Sequence, residues 1–231
     1  MIKNSNAFST KRTDLIEKHI NLENKRILDI GCGVGDYSNY FQIKGGEVIG
    51  LDLTSLHISK AHPANKNIHY IIGDAQNIPV RSSTIELILI NEVLEHVPDD
   101  EKIITESNRI MKKDGYLTIF APNKFYPFEG HWGFGPFSIF PFLSWAPTKI
   151  RKWVHKLFNK KYQPIYTRSI LKEMISPFFN IININEVFPS FDRYRKRKPF
   201  NKIIRIIESL SETPLKRLGV SIFLIAKKRS Q

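Results

Sequence analysis

Apolar residues in the first half of the chain fall in short runs, each followed by a stretch of mixed polarity long enough for a helix. The runs Arg26–Ile30, Glu47–Leu51, Ile68–Ile72, Ile85–Ile90 and Tyr116–Phe120 predict five buried strands. Near-continuous apolar strands alternating with helical segments are the pattern of β-α units and a parallel sheet covered on both faces. The helix between the last two strands is well marked. Asp99 and Asp100 stand at its start, Ile103, Ile104, Ile110 and Met111 recur on one face, Lys112 and Lys113 close it, and Gly115 ends it. From Asn123 to about Pro164 the alternation gives way to an aromatic, proline-rich and basic stretch. Thr167 is placed to cap a helix that Pro177 ends, Asn180–Val187 reads as a strand, and Gly219–Lys228 as a final one. A second irregular and very basic stretch covers 190–218.

The 231 residues, 42% of them apolar and 25% charged, suit one large α/β domain carrying insertions. Cys32 is the single cysteine, which excludes an intramolecular disulfide and an all-cysteine zinc site. With no apolar signal-peptide core at the N-terminus, the cytoplasm is the expected compartment. Charge changes the picture more. Met1–Phe120 carries 14 Lys+Arg against 16 Asp+Glu, whereas Ala121–Gln231 carries 21 against 6. The excess therefore lies in the second half, which points to an anionic surface or substrate there: membrane lipid, phosphate or nucleic acid.

The first strand runs into Asp29-Ile30-Gly31-Cys32-Gly33-Val34-Gly35. Alternate glycines between a strand and a helix let the backbone turn tightly and approach a ligand closely. The dinucleotide fingerprint has a different spacing, G-x-G-x-x-G, and the Gly-Lys-Ser/Thr of a phosphate loop is absent. An acidic residue beside the loop suits a cationic ligand. Further along, Asp52 ends the second strand, Gly73-Asp74-Ala75 follows the third, and Asn91-Glu92-Val93-Leu94-Glu95-His96-Val97 follows the fourth.

In this order the motifs resemble the class I S-adenosylmethionine-dependent methyltransferases, and the last run resembles the quinone-biosynthesis-type small-molecule branch. The resemblance covers Asn24 to Asn123 and implies a three-layer Rossmann-like sheet, mostly parallel with an antiparallel C-terminal strand. It also implies S-adenosylmethionine as cofactor, with Asp52 on the ribose hydroxyls, Asp74 on the adenine amino group and the backbone N–H of Ala75 on the ring. Asp29, Gly31, Gly33, Gly35, Leu53 and Asn91 complete the expected cofactor set. The expected layout is a single domain over 1–231, with a cofactor core at 24–123, an insertion or lid at 124–165 and a second basic insertion at 190–218.

The tip of the fourth strand is where a methyl group would meet its acceptor, so His96 is a candidate base for a hydroxyl acceptor. The more ordinary reading is a residue that caps or packs the following helix. Glu129 and His131, among aromatics and glycines just past the fifth strand, form a second candidate pair, or else a structural turn. Two such ligands without a third make a poor metal site, so no metal is expected. Cys32, inside the glycine loop, reads as a packing residue.

In Thr148–Phe158 the apolar residues Ile150, Trp153, Val154, Leu157 and Phe158 share one helical face, and Lys149, Arg151, Lys152, His155 and Lys156 share the other. This is the pattern of an in-plane membrane anchor, of a lid packed on the sheet, or of both. A second basic run, Arg193–Lys198, precedes another amphipathic stretch. The expected function is methyl transfer, with oxygen as the first-choice atom, to a lipid-linked, isoprenoid-quinone-like or glycan acceptor near a membrane. The alternative is a nucleic-acid methyltransferase using the basic half, although the fourth strand does not end in the Asn/Asp-Pro-Pro-aromatic motif that clamps a base amine. A cofactor-binding scaffold without chemistry is the third reading.

Overall fold

A computed structural model describes residues 7–126, 143–157, 162–188, 213 and 217–229. Helix α1 (Ala7–Glu17) precedes the alternation β1 (Arg26–Ile30), α2 (Asp36–Ile43), β2 (Glu47–Asp52), α3 (Ser55–Ala64), β3 (His69–Ile72) and β4 (Ile85–Asn91). A single 3-10 turn at Leu94–His96 leads to α4 (Asp100–Ile110) and β5 (Met111–Pro122). After these come α5 (Thr148–Leu157), α6 (Arg168–Ile175), β6 (Phe179–Val187) and β7 (Ser221–Lys228).

The strands form one sheet in the order β3-β2-β1-β4-β5-β7-β6. β1 to β5 pair in parallel, and β7 runs antiparallel between β5 and β6. This is the Rossmann-like α/β sheet with an antiparallel C-terminal strand that the sequence predicts. The inner strands β1, β4 and β7 are buried along nearly their whole length because both faces are covered, whereas the edge strands β3 and β6 are partly exposed. Ile88, Ile90, Ile119 and Leu224 pack toward Ile103 and Ile104 of α4 and Leu171 and Ile175 of α6. Leu87, Leu89, Phe223 and Ile225 pack the other way, toward Ile16 of α1 and Phe41 of α2.

Local chemistry sets the element ends. The hydroxyl of Thr167 accepts from the Ile170 N–H (3.3 Å), the cap expected, and of the two acidic residues at the start of α4 it is Asp99 whose carboxylate caps, accepting from the Lys102 N–H (3.0 Å). One boundary differs. The sequence places Lys112 and Lys113 at the helix end, but α4 stops at Ile110 and both lysines open β5. Met111 is already extended and fully buried, and Asp114, at φ 62°, lies in the irregular stretch of β5 between Met111, paired with Ile85, and Tyr116, paired with Leu87. Burial of Met111 outweighs the helical preference of the two lysines. Arg109 then donates to the carbonyls of Ile78 and Val80, while Glu106 accepts from the Ile78 N–H, so α4 pins the loop between β3 and β4.

α5 forms where its periodicity places it, but its orientation departs from the simple two-face reading. Arg151 and His155 are buried, whereas Ile150, Trp153 and Leu157 are 49%, 63% and 61% exposed. Arg151 donates to the Tyr162 hydroxyl (3.3 Å) and the Gln163 carbonyl (3.4 Å), and His155 meets the Tyr162 ring edge-on at 5.5 Å. A ring and a carbonyl supplied from outside the helix draw only the Arg151 and His155 edge inward, and Lys149, Lys152 and Lys156 stay exposed. The apolar side is therefore not packed on the sheet. The basic stretch at 190–218 lies outside the described residues apart from 213, 217 and 218.

Ile88→Ala should cost about 3 kcal/mol of stability, since a fully buried branched side chain leaves a cavity between sheet and helices. Ile182→Ala, at a site 48% exposed, should cost less than about 1 kcal/mol. Urea unfolding midpoints of the two variants check the contrast.

Candidate active site

The C-terminal ends of the parallel strands, where open α/β sheets collect ligands, frame a cleft of about 460 Å³. Gly31 and Gly33 form its floor. A Cβ on Gly31 would collide with the Val93 side chain from the β4 tip, so only glycine lets these two segments approach. Gly33, at φ 56°, has nothing within 4 Å of the position its Cβ would occupy; that side faces open space. The left-handed backbone conformation makes glycine the residue of choice there. Gly35 starts α2 beside Tyr70 and does not line the cleft.

Asp52 is the best-positioned side chain. Its Oδ2 accepts from the Gly33 N–H (2.9 Å), and its Oδ1 accepts from the Thr54 N–H (2.8 Å) and faces His57 Nδ1 (3.1 Å). A carboxylate has about four lone-pair sites. The three contacts orient it and leave acceptor capacity toward the cleft. Leu53 lies on the rim, 72% exposed, a flat apolar surface next to the carboxylate. Across the cleft, Asp74 accepts from the Gln76 N–H (2.8 Å), which holds its carboxylate at the rim beside Ala75.

Besides Gly35, two further members of the expected set sit elsewhere. Asp29 is buried beneath the loop, accepts from the Ser38 hydroxyl (2.6 Å), and is not a cleft wall. Burial raises its carboxyl to about 7, against the lowering effect of that hydrogen bond. Asn91 also turns away, because its Oδ1 accepts from Arg12 of α1.

Arg12 was not identifiable from the sequence and is the most connected residue of this end. It is buried, bonds Glu92 Oε1 (2.6 Å) and the Ser221 hydroxyl (2.7 Å), and lies 4.8 Å over the Phe120 ring. Ser221 in turn donates to the same Glu92 oxygen (2.6 Å). These contacts hold Glu92 at φ 53°, a conformation that a non-glycine residue adopts only under constraint, with the residue on the cleft wall.

Three residues on, Glu95 is buried with no hydrogen-bond partner for either oxygen. Burial, and then the charge of Glu92, hold it well above the ordinary carboxylate range, so it is a neutral acid at pH 7. His96 lines the cleft, its Nδ1 2.9 Å from Gln163 Nε2 and its Nε2 3.8 Å from Glu95 Oε1. His57 and Gln163 also escaped the sequence reading. The only signal for His57 is its place in the first turn of α3, five residues past Asp52.

Glu129 and His131 lie outside the described residues. Among the described residues no three His, Cys, Asp or Glu side chains form a metal-binding group. The Cys32 thiol is buried and pushed far up by desolvation, so it is a packing group and not a nucleophile.

A glycine floor, an oriented carboxylate ending β2 and an acidic rim after β3 are the parts that the resemblance to class I S-adenosylmethionine-dependent methyltransferases implies. Residues 28–119 match the family model described as a methyltransferase domain, and S-adenosylmethionine is the cofactor of this class. A ubiquinone biosynthesis O-methyltransferase from Hydrogenovibrio crunogenus is 31% identical over 120 residues, half of each chain. The chain thus spans about half the length of the curated relatives it matches. An S-adenosylmethionine dependent methyltransferase from Mesorhizobium loti shares the fold at a TM-score of 0.68 and 17% identity, covering 93% of this chain and 96% of that one. Phosphoethanolamine N-methyltransferase 2 of Haemonchus contortus, solved with S-adenosyl-L-methionine, aligns at a TM-score of 0.66 and 14% identity over 96% of this chain and 53% of that one.

Arg12→Ala should destabilise the protein by about 3 kcal/mol in urea unfolding, because Glu92 loses the cation that balances it and Ser221 a donor. Arg12→Lys should recover less than half of this, a point charge being unable to bridge several acceptors. Asp29 carries a pH signature. Its native pKa of about 7 lies above the ordinary 3.8, so the native state takes up a proton the unfolded chain does not. Its contribution to stability is then fully present below pH 4 and lost as pH rises through 7. Asp29→Asn should flatten this pH dependence between 4 and 7, read as urea midpoints across the range.

Proposed function

We propose that the chain transfers a methyl group from S-adenosylmethionine to an oxygen of a small, lipid-like acceptor of the isoprenoid-quinone type, or of a lipid-linked glycan, presented at a membrane face. The observation that carries this reading is the cleft itself: Asp52, oriented by Gly33, Thr54 and His57, opposite the rim formed by Asp74 and Ala75. Curated relatives named as ubiquinone biosynthesis O-methyltransferases, similar over about half of the chain, support the acceptor class.

When bound, S-adenosylmethionine supplies a methyl group on a sulfonium, a leaving group that needs no further activation. In this reading Asp52 accepts from the ribose hydroxyls, Leu53 covers one face of the adenine, and Asp74 and Ala75 meet its polar edge. Gly31 and Gly33 leave room for the methionine portion. The chain's remaining task is to orient a hydroxyl in line with the methyl carbon and to take its proton. The cofactor would supply the methyl carbon to that hydroxyl oxygen, and His96 would take the hydroxyl proton. Neutral Glu95 behind the imidazole does not hold that proton electrostatically, so it passes on to solvent. Glu129 and His131 are the second candidates for this role.

Purified protein should bind S-adenosylmethionine in calorimetry, and Asp52→Ala should weaken binding roughly tenfold or more, as loss of hydrogen bonds to a charged group does. His96→Ala should leave that affinity unchanged while slowing transfer to a polyprenyl phenol by roughly a hundredfold. Absence of cofactor binding would sink the enzyme reading in favour of a scaffold. Full transfer rates in His96→Ala would remove only the proposed base.

A further inference from the structure

The outward face of α5 combines exposed apolar side chains with a row of lysines. At 3.6 residues per turn, Trp153 stands about 180° from the midpoint of the buried pair Arg151 and His155, so it is the outermost residue of the helix. Ile150 and Leu157 flank it on one side, and Lys149, Lys152 and Lys156, all exposed, flank it on the other, with Lys152 Nζ also 5.3 Å over the Tyr162 ring. Between Glu129 and Glu173 the sequence has no acidic residue, so nothing in this segment offsets the lysines. The helix cannot turn its apolar side inward without withdrawing Arg151 from Tyr162 and the Gln163 carbonyl.

We propose that α5 docks in the plane of an anionic lipid bilayer, with Trp153 foremost, Ile150 and Leu157 entering the headgroup–acyl boundary and the three lysines meeting lipid phosphates. A tryptophan at the centre, aliphatic side chains to one side and cations to the other match the layered polarity of that boundary. A nucleic-acid backbone would engage the lysines but offers nothing to cover Ile150 and Leu157. The docking helix is also joined to the cleft. Arg151 bonds the backbone of Gln163, and the Gln163 side chain meets His96 on the cleft wall. Docking therefore acts on the acceptor side of the cleft through these two bonds, and in this respect it rests on the lipid-like acceptor reading.

The test is co-sedimentation of the full chain with phosphatidylcholine vesicles, with and without phosphatidylglycerol, together with quenching of tryptophan fluorescence by brominated lipid. Binding should require phosphatidylglycerol and weaken with salt. Trp153→Ser and the triple variant K149Q/K152Q/K156Q should each lower vesicle affinity by roughly tenfold or more. Both changes are at exposed positions, so calorimetric binding of S-adenosylmethionine should be unaltered in both variants. Wild-type protein that binds phosphatidylcholine vesicles equally well overturns the proposal, as does wild-type affinity in either variant. Tighter binding to single-stranded RNA than to anionic vesicles, indifferent to Trp153→Ser, overturns it in favour of a nucleic-acid surface. Loss of vesicle binding with cofactor binding intact would refute docking alone. Vesicle binding without cofactor binding would refute the methyltransferase reading alone.

Discussion

One carbonyl, that of Leu51, accepts hydrogen bonds from both Gly31 (2.7 Å) and Cys32 (3.0 Å), and the cleft is built around that crossing. It stops β1 from continuing alongside β2 and turns the chain across the end of its neighbour. The turn delivers the Gly33 N–H to Asp52, which fixes the carboxylate, and it lays Gly31 against Val93 from β4. Three strand ends are thus locked by one turn. A side chain at Gly31 would force β1 and β4 apart at the point where the cleft needs them together.

The electrostatics of the same end show how tightly charge must be managed once both faces of a sheet are covered. Arg12, Glu92 and Glu95 lie within a few residues of an apolar core in which an isolated ion would be costly. The guanidinium balances one carboxylate, and the other stays protonated, so no charge is left uncompensated. The strained backbone of Glu92 persists because Arg12 and Ser221 hold its side chain from two other elements. α1 is therefore part of the site's framework and not only a cover on the sheet.

Much of the fold could be read from the sequence. The β-α alternation, five strands of the parallel region, the last strand, the cap at Thr167 and the helix at Thr148 all follow from short-range periodicity. The Asp29–Gly35 loop and Asp52 could be placed at strand ends for the same reason. Arg12, His57 and Gln163 could not, because each reaches the site from an element whose local pattern carries no mark of it. Asn91 and Asp29 sit in the right motifs yet turn to Arg12 and Ser38, since a motif places a residue along the chain but does not choose its hydrogen-bond partner.

α5 draws the same line most sharply. The sequence by itself determined that this segment is a helix with aliphatic and aromatic residues on one side and cations on the other, because helical periodicity is a local property. Which side faces inward was decided only by the tertiary structure. Tyr162 and the Gln163 carbonyl give Arg151 and His155 a partner and an aromatic surface inside, which leaves Trp153 and its aliphatic neighbours to the outside. Satisfying a buried cation takes specific partners from elsewhere in the chain, and periodicity cannot reveal where those partners lie.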